Sequence, residues 1–305
     1  MKKYCIVLVM LLAAASLFAG GARDEAEENG IRVFTSIVPM QYFADRIISE
    51  AGEAEAIVKP GMSPATYDPT PRQVARLENG DALFTVGVPF ERSFVPDIRE
   101  RYPSLRIIDT TEGIRMREID EHHRESGDEE DHGHEDEEHG QGNLDPHVWT
   151  SPRRAARIAG NIGEALMEID PDNREAYEAN MRVLIQEIQQ LDGEIENMLR
   201  PYQGEEVFIY HPALGYFCDD YGLEQVPIEV GGNSPGPRQL GGFIRRAEEA
   251  GARVIFIQPE FDTQSAETVA EEIGAVVAPL DILAYDYIIN MQSIAQTIAS
   301  AFEGE

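Results

Sequence analysis

Residues 171–199 read PDNREAYEANMRVLIQEIQQLDGEIENML. Apolar side chains recur at Tyr177, Met181, Leu184, Ile188, Leu191, Ile195 and Met198, in steps that alternate between four and three. That rhythm is one continuous stripe along an α-helix. Asp170-Pro171 supplies the opening and Pro201 the stop. At about 1.5 Å per residue the stretch is a rod of roughly 45 Å. Placed between two halves that each alternate strand and helix, a rod this long reads as a stiff connector. The plainer alternative is an ordinary surface helix.

Before the rod, apolar β-type runs at 31–38, 56–58, 82–86 and 105–109 alternate with helical spacing at 39–50, 72–77 and 89–98. Thr70-Pro71 reads as the cap and first turn of the second of these helices. Ser151-Pro152 caps a further helix running to about Glu168. After the rod, strands are expected at 206–210, 224–229, 254–257 and 276–280. Helices are expected at 212–220, 239–250, 266–273 and 287–302. Strand–helix alternation on this scale means α/β. The expected architecture is two α/β lobes, each a mainly parallel sheet flanked by helices, joined by one long rigid helix. The expected divisions are an N-terminal lobe at 31–170, a linker helix at 171–200 and a C-terminal lobe at 201–305.

The chain of 305 residues carries a formal charge of −31, from 25 Lys and Arg against 56 Asp and Glu. Such a surface repels phosphate, so nucleic acid is a poor partner and a cation a better one. Residues 1–22 read as an export signal: Lys2 and Lys3, then an unbroken apolar run from Ile6 to Leu12, then alanines. The apolar run is shorter than the roughly 20 residues a membrane span needs. No cysteine follows it, so no lipobox is seen. Residues 23–30 read as a flexible acidic leader. With Cys5 in the signal, Cys218 stands alone, and its apolar setting makes it a small core residue rather than a nucleophile. A periplasmic or extracytoplasmic monomer is expected.

All the histidines are His122, His123, His132, His134, His139, His147 and His211. The first five fall in an acidic, almost apolar-free segment at 117–141, expected to be a solvated loop. A charge run is usually no more than a solvated face. Here it also offers exchangeable cation sites, with His132, His134 and His139 as capture residues. His147 lies in Asp145-Pro146-His147-Val148-Trp149, His211 follows a strand and precedes a helix, and Asp281 follows the strand at 276–280. In open α/β sheets, ligands gather outside the carboxyl ends of strands. Two imidazoles and a carboxylate there suit zinc, and manganese or iron less decisively. Taken singly, Asp281 could be a turn cap and each histidine a surface hydrogen-bonder.

These residues, in four ordered blocks, resemble the metal-binding class of substrate-binding proteins for bacterial ABC transporters, the zinc- or manganese-uptake type. The blocks are Gly61 to Pro71, Asp145 to Trp149, Tyr210-His211-Pro212-Ala213 through Leu223, and Gln258-Pro259-Glu260-Phe261 through Leu280-Asp281. The resemblance covers almost everything after residue 31. It implies two lobes with a divalent metal between them, His147 contributed by the first and His211 and Asp281 by the second. It also implies a membrane permease as partner. The His-rich segment favours Zn2+ over Mn2+. One position departs from the pattern: Ala65 stands where the family usually has a histidine ligand. A methyl group cannot ligate, so a water, a loop histidine or a carboxylate such as Glu260 would complete the site.

Two other readings stay open. A His-His-Asp metal with an open position is also how hydrolytic zinc sites are built. Against a hydrolase, there is no HExxH helix and no GxSxG elbow. A surface adhesin or metal buffer would bind through the acidic segment alone. Because ligating imidazoles must be neutral, metal affinity is expected to fall as pH drops through the imidazole range.

Overall fold

The computed structural model describes residues 30–119, 144–229, 236–261 and 264–304. The stretch expected to be an export signal, nearly all of the expected leader, and His122, His123, His132, His134 and His139 lie outside the described residues.

The first half runs β1 (Ile31–Thr35), α1 (Val38–Ile48), β2 (Gly52–Ala56), α2 (Pro71–Arg76), β3 (Ala82–Thr85), α3 (Glu91–Arg101) and β4 (Arg106–Asp109). Two helices follow, α4 (Pro152–Ile169) and α5 (Arg174–Leu199). The second half runs β5 (Glu206–Ile209), α6 (Gly215–Tyr221), β6 (Glu224–Pro227), α7 (Pro237–Ala250), β7 (Val254–Ile257), α8 (Gln264–Ile273), β8 (Val276–Pro279) and α9 (Tyr287–Glu303). Each half holds a four-stranded parallel sheet, ordered β2-β1-β3-β4 and β6-β5-β7-β8. The shared order puts a topological switch between β1 and β3 in one sheet and between β5 and β7 in the other.

Local signals placed most elements. Thr70 accepts from the Gln73 N–H while the Gln73 side chain returns to the Thr70 N–H, a capping box ahead of α2. Ser151 accepts from the Arg154 N–H at the head of α4. The second strand differs from expectation: β2 is Gly52–Ala56, not 56–58. It is an edge strand with one wet face, so Ala54 and Ala56 turn inward between exposed or half-exposed Glu53 and Glu55. The apolar Ile57 and Val58 lie past its end, donating to the carbonyls of Thr35 and Ser36 at 2.8 and 3.0 Å. Helix α6 begins at Gly215 rather than Pro212, because His211 to Leu214 form a turn first.

Helix α5 spans 26 residues between short 3-10 turns at Pro171–Asn173 and Arg200–Tyr202. It buries Tyr177, Leu184, Ile188, Leu191, Ile195 and Leu199, so the stripe ends on Leu199 rather than on Met198, which is partly buried. The helix packs on α1 and α4 from one half and on α9 from the other. One apolar core therefore runs from the first sheet through α5 into α6 and α9, with a second cluster between the β5–β8 sheet and α7 and α8. Cys218 is buried in the first core. Two buried hydrogen bonds stitch the halves together: the Trp149 indole donates to the Ile282 carbonyl at 2.9 Å, and the Tyr287 hydroxyl to the Trp149 carbonyl at 2.8 Å.

Candidate metal centre

Loops leaving the carboxyl ends of both sheets enclose a cavity of about 240 Å³. Its wall includes Ala65, Gly87 and His147 from the first half and His211, Glu260 and Phe261 from the second. His211 follows β5 and Glu260 follows β7, the two strands flanking the second switch point.

His147 sits just ahead of a 3-10 turn and is buried. Asp145, fully buried, accepts from both the His147 main-chain N–H (2.9 Å) and its Nδ1 (2.7 Å) through a single oxygen, Oδ1. His211 is held on three sides. Its Nδ1 meets Oε2 of buried Glu229 at 2.5 Å. The Gln258 amide accepts from its N–H at 3.4 Å and donates to its carbonyl at 3.0 Å. Phe261 stacks on the ring with centroids 4.9 Å apart.

A carboxylate can only accept, so a neutral ring facing it donates from Nδ1 and keeps its lone pair on Nε2. The two Nε2 atoms face each other at 3.4 Å. Two lone pairs so close repel unless a proton or a cation lies between them. Ligand nitrogens about 2.0–2.1 Å from a tetrahedral zinc are themselves about 3.3–3.4 Å apart. The separation between the imidazoles is that of a zinc chelate.

Asp281 is placed differently. It follows the edge strand β8, is exposed, and accepts from the Leu283 N–H at 2.8 Å as a turn cap. It is not part of the cavity wall described above. Among the described residues, no group of three or more His, Cys, Asp or Glu side chains is gathered as a ready metal site. The fold thus brings the two imidazoles together and leaves the carboxylate beside them. Glu260 is the acid on the wall. Burial pushes its carboxyl up to about 6, the charge of Asp281 adds to the rise, and His211 opposes it. Ala65 also lines the cavity, and its side chain offers no donor.

Sequence reading missed the residues that aim the imidazoles. Asp145, two positions before His147, was legible as a local partner. Glu229 is 18 residues from His211 and Gln258 is 47 away, and neither has a local signature.

The family model described as ZnuA, zinc-uptake complex component A, periplasmic, matches residues 33–301. The chain is 28% identical over 286 residues to the high-affinity zinc uptake system protein ZnuA of Bacillus subtilis (strain 168), covering 91% of this chain and 87% of that protein. It is 25% identical over 294 residues to the zinc-binding protein AdcA of Streptococcus pyogenes serotype M3, covering 92% of this chain but only 56% of that longer protein. A crystal structure of ZnuA superposes with a TM-score of 0.80 at 33% identity, over 89% of this chain and 99% of that one. These relatives are zinc-uptake and zinc-binding components rather than enzymes, which sets the hydrolase reading aside. With two parallel-sheet lobes, a long joining helix and a match along almost the whole described chain, the protein belongs to the family of the periplasmic zinc-uptake component ZnuA.

Proposed function

We propose that this protein captures a divalent cation, zinc, between its lobes outside the cell membrane and delivers it to an ABC-transporter permease. The observation that carries the reading is the 3.4 Å separation of the His147 and His211 Nε2 atoms, with both Nδ1 atoms engaged by buried carboxylates. Two neutral nitrogens suit zinc better than manganese, which prefers oxygen donors. The names of the zinc-uptake relatives point the same way.

On this reading the cation exchanges its water for His147 Nε2 and His211 Nε2. A carboxylate neutralises part of its charge. Asp281 is the carboxylate the family resemblance implies, reached by release of its cap on Leu283. Glu260 is the acid already on the wall. Water completes the shell where Ala65 gives none. Lobes at 31–170 and 201–305 are held by the helix at 171–200 and by the Trp149 and Tyr287 bonds, so release to the permease proceeds through loop movement rather than wide opening. The export signal at 1–22 delivers the chain across the membrane, and His132, His134 and His139 provide weak, exchangeable sites that raise the local cation concentration.

The test is calorimetric titration of the exported protein with zinc and with manganese, alongside elemental analysis of protein purified without chelator. The expected result is one tight zinc site, lost in His147→Ala and in His211→Ala. It is retained when residues 118–140 are deleted. A tight site that survives both histidine replacements would overturn the proposal.

A further inference from the structure

Behind His147 lies a charged strap that supplies no donor atom to the proposed metal site. Arg117 touches Asp145 with both main chain and side chain. Its carbonyl accepts from the Asp145 N–H at 2.9 Å. Its Nη1 approaches Asp145 Oδ2 at 3.5 Å, the oxygen not used by His147. The same guanidinium reaches across to the second lobe, where Nε meets Asp219 Oδ2 at 3.1 Å. Tyr216 locks the crossing: its hydroxyl accepts from the Arg117 N–H at 3.0 Å and donates to the Asp145 carbonyl at 2.8 Å.

Room for this crossing depends on one glycine. A Cβ on Gly215 would stand 1.4 Å from Arg117 Nη1 and 2.9 Å from Asp145 Oδ2. Gly215 is the first residue of α6 and its φ is not in the left-handed region, so its backbone does not call for glycine. The missing side chain is needed for the guanidinium.

From this geometry we infer that Arg117 is a positioning residue for zinc capture. Resting on the metal site proposed above, its role is to hold Asp145 so that Oδ1 keeps the His147 ring turned with Nε2 toward His211. Because the guanidinium also grips Asp219, the aim of a first-lobe imidazole is tied to the place of the second lobe. Separation of the lobes at this point loosens His147, so the strap links lobe position to retention of the ion.

Arg117→Gln removes the strap, and Gly215→Ala evicts it while leaving its charge in the chain. The expected result is that each weakens zinc binding by about 10- to 100-fold, the usual effect of losing a group that orients a metal ligand. The double variant should be no weaker than the weaker single, because both act on one contact. Long-range proton–nitrogen NMR of the metal-free protein should show a fixed Nδ1–H tautomer at His147 in the parent and a mixture in both variants. Circular dichroism checks folding, and if Arg117→Gln does not fold, Arg117→Lys, which keeps the charge but loses the guanidinium fork, takes its place, since Gly215→Ala also crowds Asp145 Oδ2. Zinc affinity within about twofold of the parent in the folded variants, or multiplied losses in the double, would overturn the role. His211→Ala, titrated in parallel, separates the two ideas. If it still binds tightly, the metal site itself fails. If it loses zinc while the strap variants keep it, only the part given to Arg117 fails.

Discussion

The indole of Trp149 lies 5.3 Å from the imidazole of His147, the two rings tilted by 58°. Trp149 is the single tryptophan of the chain, and it is buried with its N–H bound to the Ile282 carbonyl of the other lobe. Its emission therefore reads one spot, where the proposed ligand and the lobe contact meet. Zinc titration should change the emission with a single saturation point. The change should vanish in His211→Ala, which leaves Trp149 and its neighbour in place. An emission response that persists in that variant would place the binding elsewhere.

The carboxylates behind the imidazoles should matter nearly as much as the imidazoles. Asp145→Asn and Glu229→Gln keep size but replace an acceptor-only oxygen by an amide that can turn a donor toward Nδ1. Each is expected to cost about 10- to 100-fold in zinc affinity. Calorimetry on the folded variants checks this.

Ala65→His should add a nitrogen donor to the cavity wall and tighten zinc binding. Asp281→Ala and Glu260→Ala, measured in the same series, decide which acid joins the shell. The one that does should cost at least about 1.4 kcal/mol, a factor of ten in affinity. If Ala65→His binds no better than the parent, that loop does not face the ion.

Glu260 should make the metal-free protein pH-sensitive. Its carboxyl is raised in the folded state, from 4.5 to about 6, chiefly by burial. A raised group contributes stability that is fully present below the unfolded value and is lost as pH rises through the folded one. Between pH 4.5 and 6 the metal-free protein should therefore lose up to about 2 kcal/mol from this group, at 1.36 kcal/mol per pH unit. Thermal melts across that window should show the loss in the parent and not in Glu260→Gln. Zinc should restore more stability at pH 7 than at pH 5, since a cation favours the ionised form.

Tyr287→Phe should loosen the lobes without touching the ion. The Tyr287 hydroxyl is buried and donates to the Trp149 carbonyl, and removal leaves that carbonyl buried and unpaired by this donor. Such a loss costs about 1–3 kcal/mol. A lowered melting temperature, with faster zinc release in stopped-flow chelation, is the expected pair of outcomes. An unchanged melt would mean that the contact between lobes is held elsewhere.

Much of the fold was legible because its signals are local. The stripe from Tyr177 to Ile195, the capping box at Thr70 and the Ser151 cap each act within a turn or two of chain. Strand β2 was misplaced because an edge strand of alternating Ala and Glu carries no apolar run, and Ile57-Val58 beyond its end does. The site was legible only as a short roll of candidates. His147 and His211 stood out by the company they keep, and Asp145 could have, while Glu229 and Gln258 could not.

What this sequence determined by itself is the series of elements, the long joining helix and the family likeness, since periodicity, caps and motifs are written in neighbouring residues. What only the tertiary structure decided is that two imidazoles 64 residues apart meet nitrogen to nitrogen, that buried carboxylates aim them, and that Asp281 accepts from the Leu283 N–H. The reason is physical. Distance between side chains is set by which strands lie next to each other at the switch points, and strand order is an outcome of packing the whole chain.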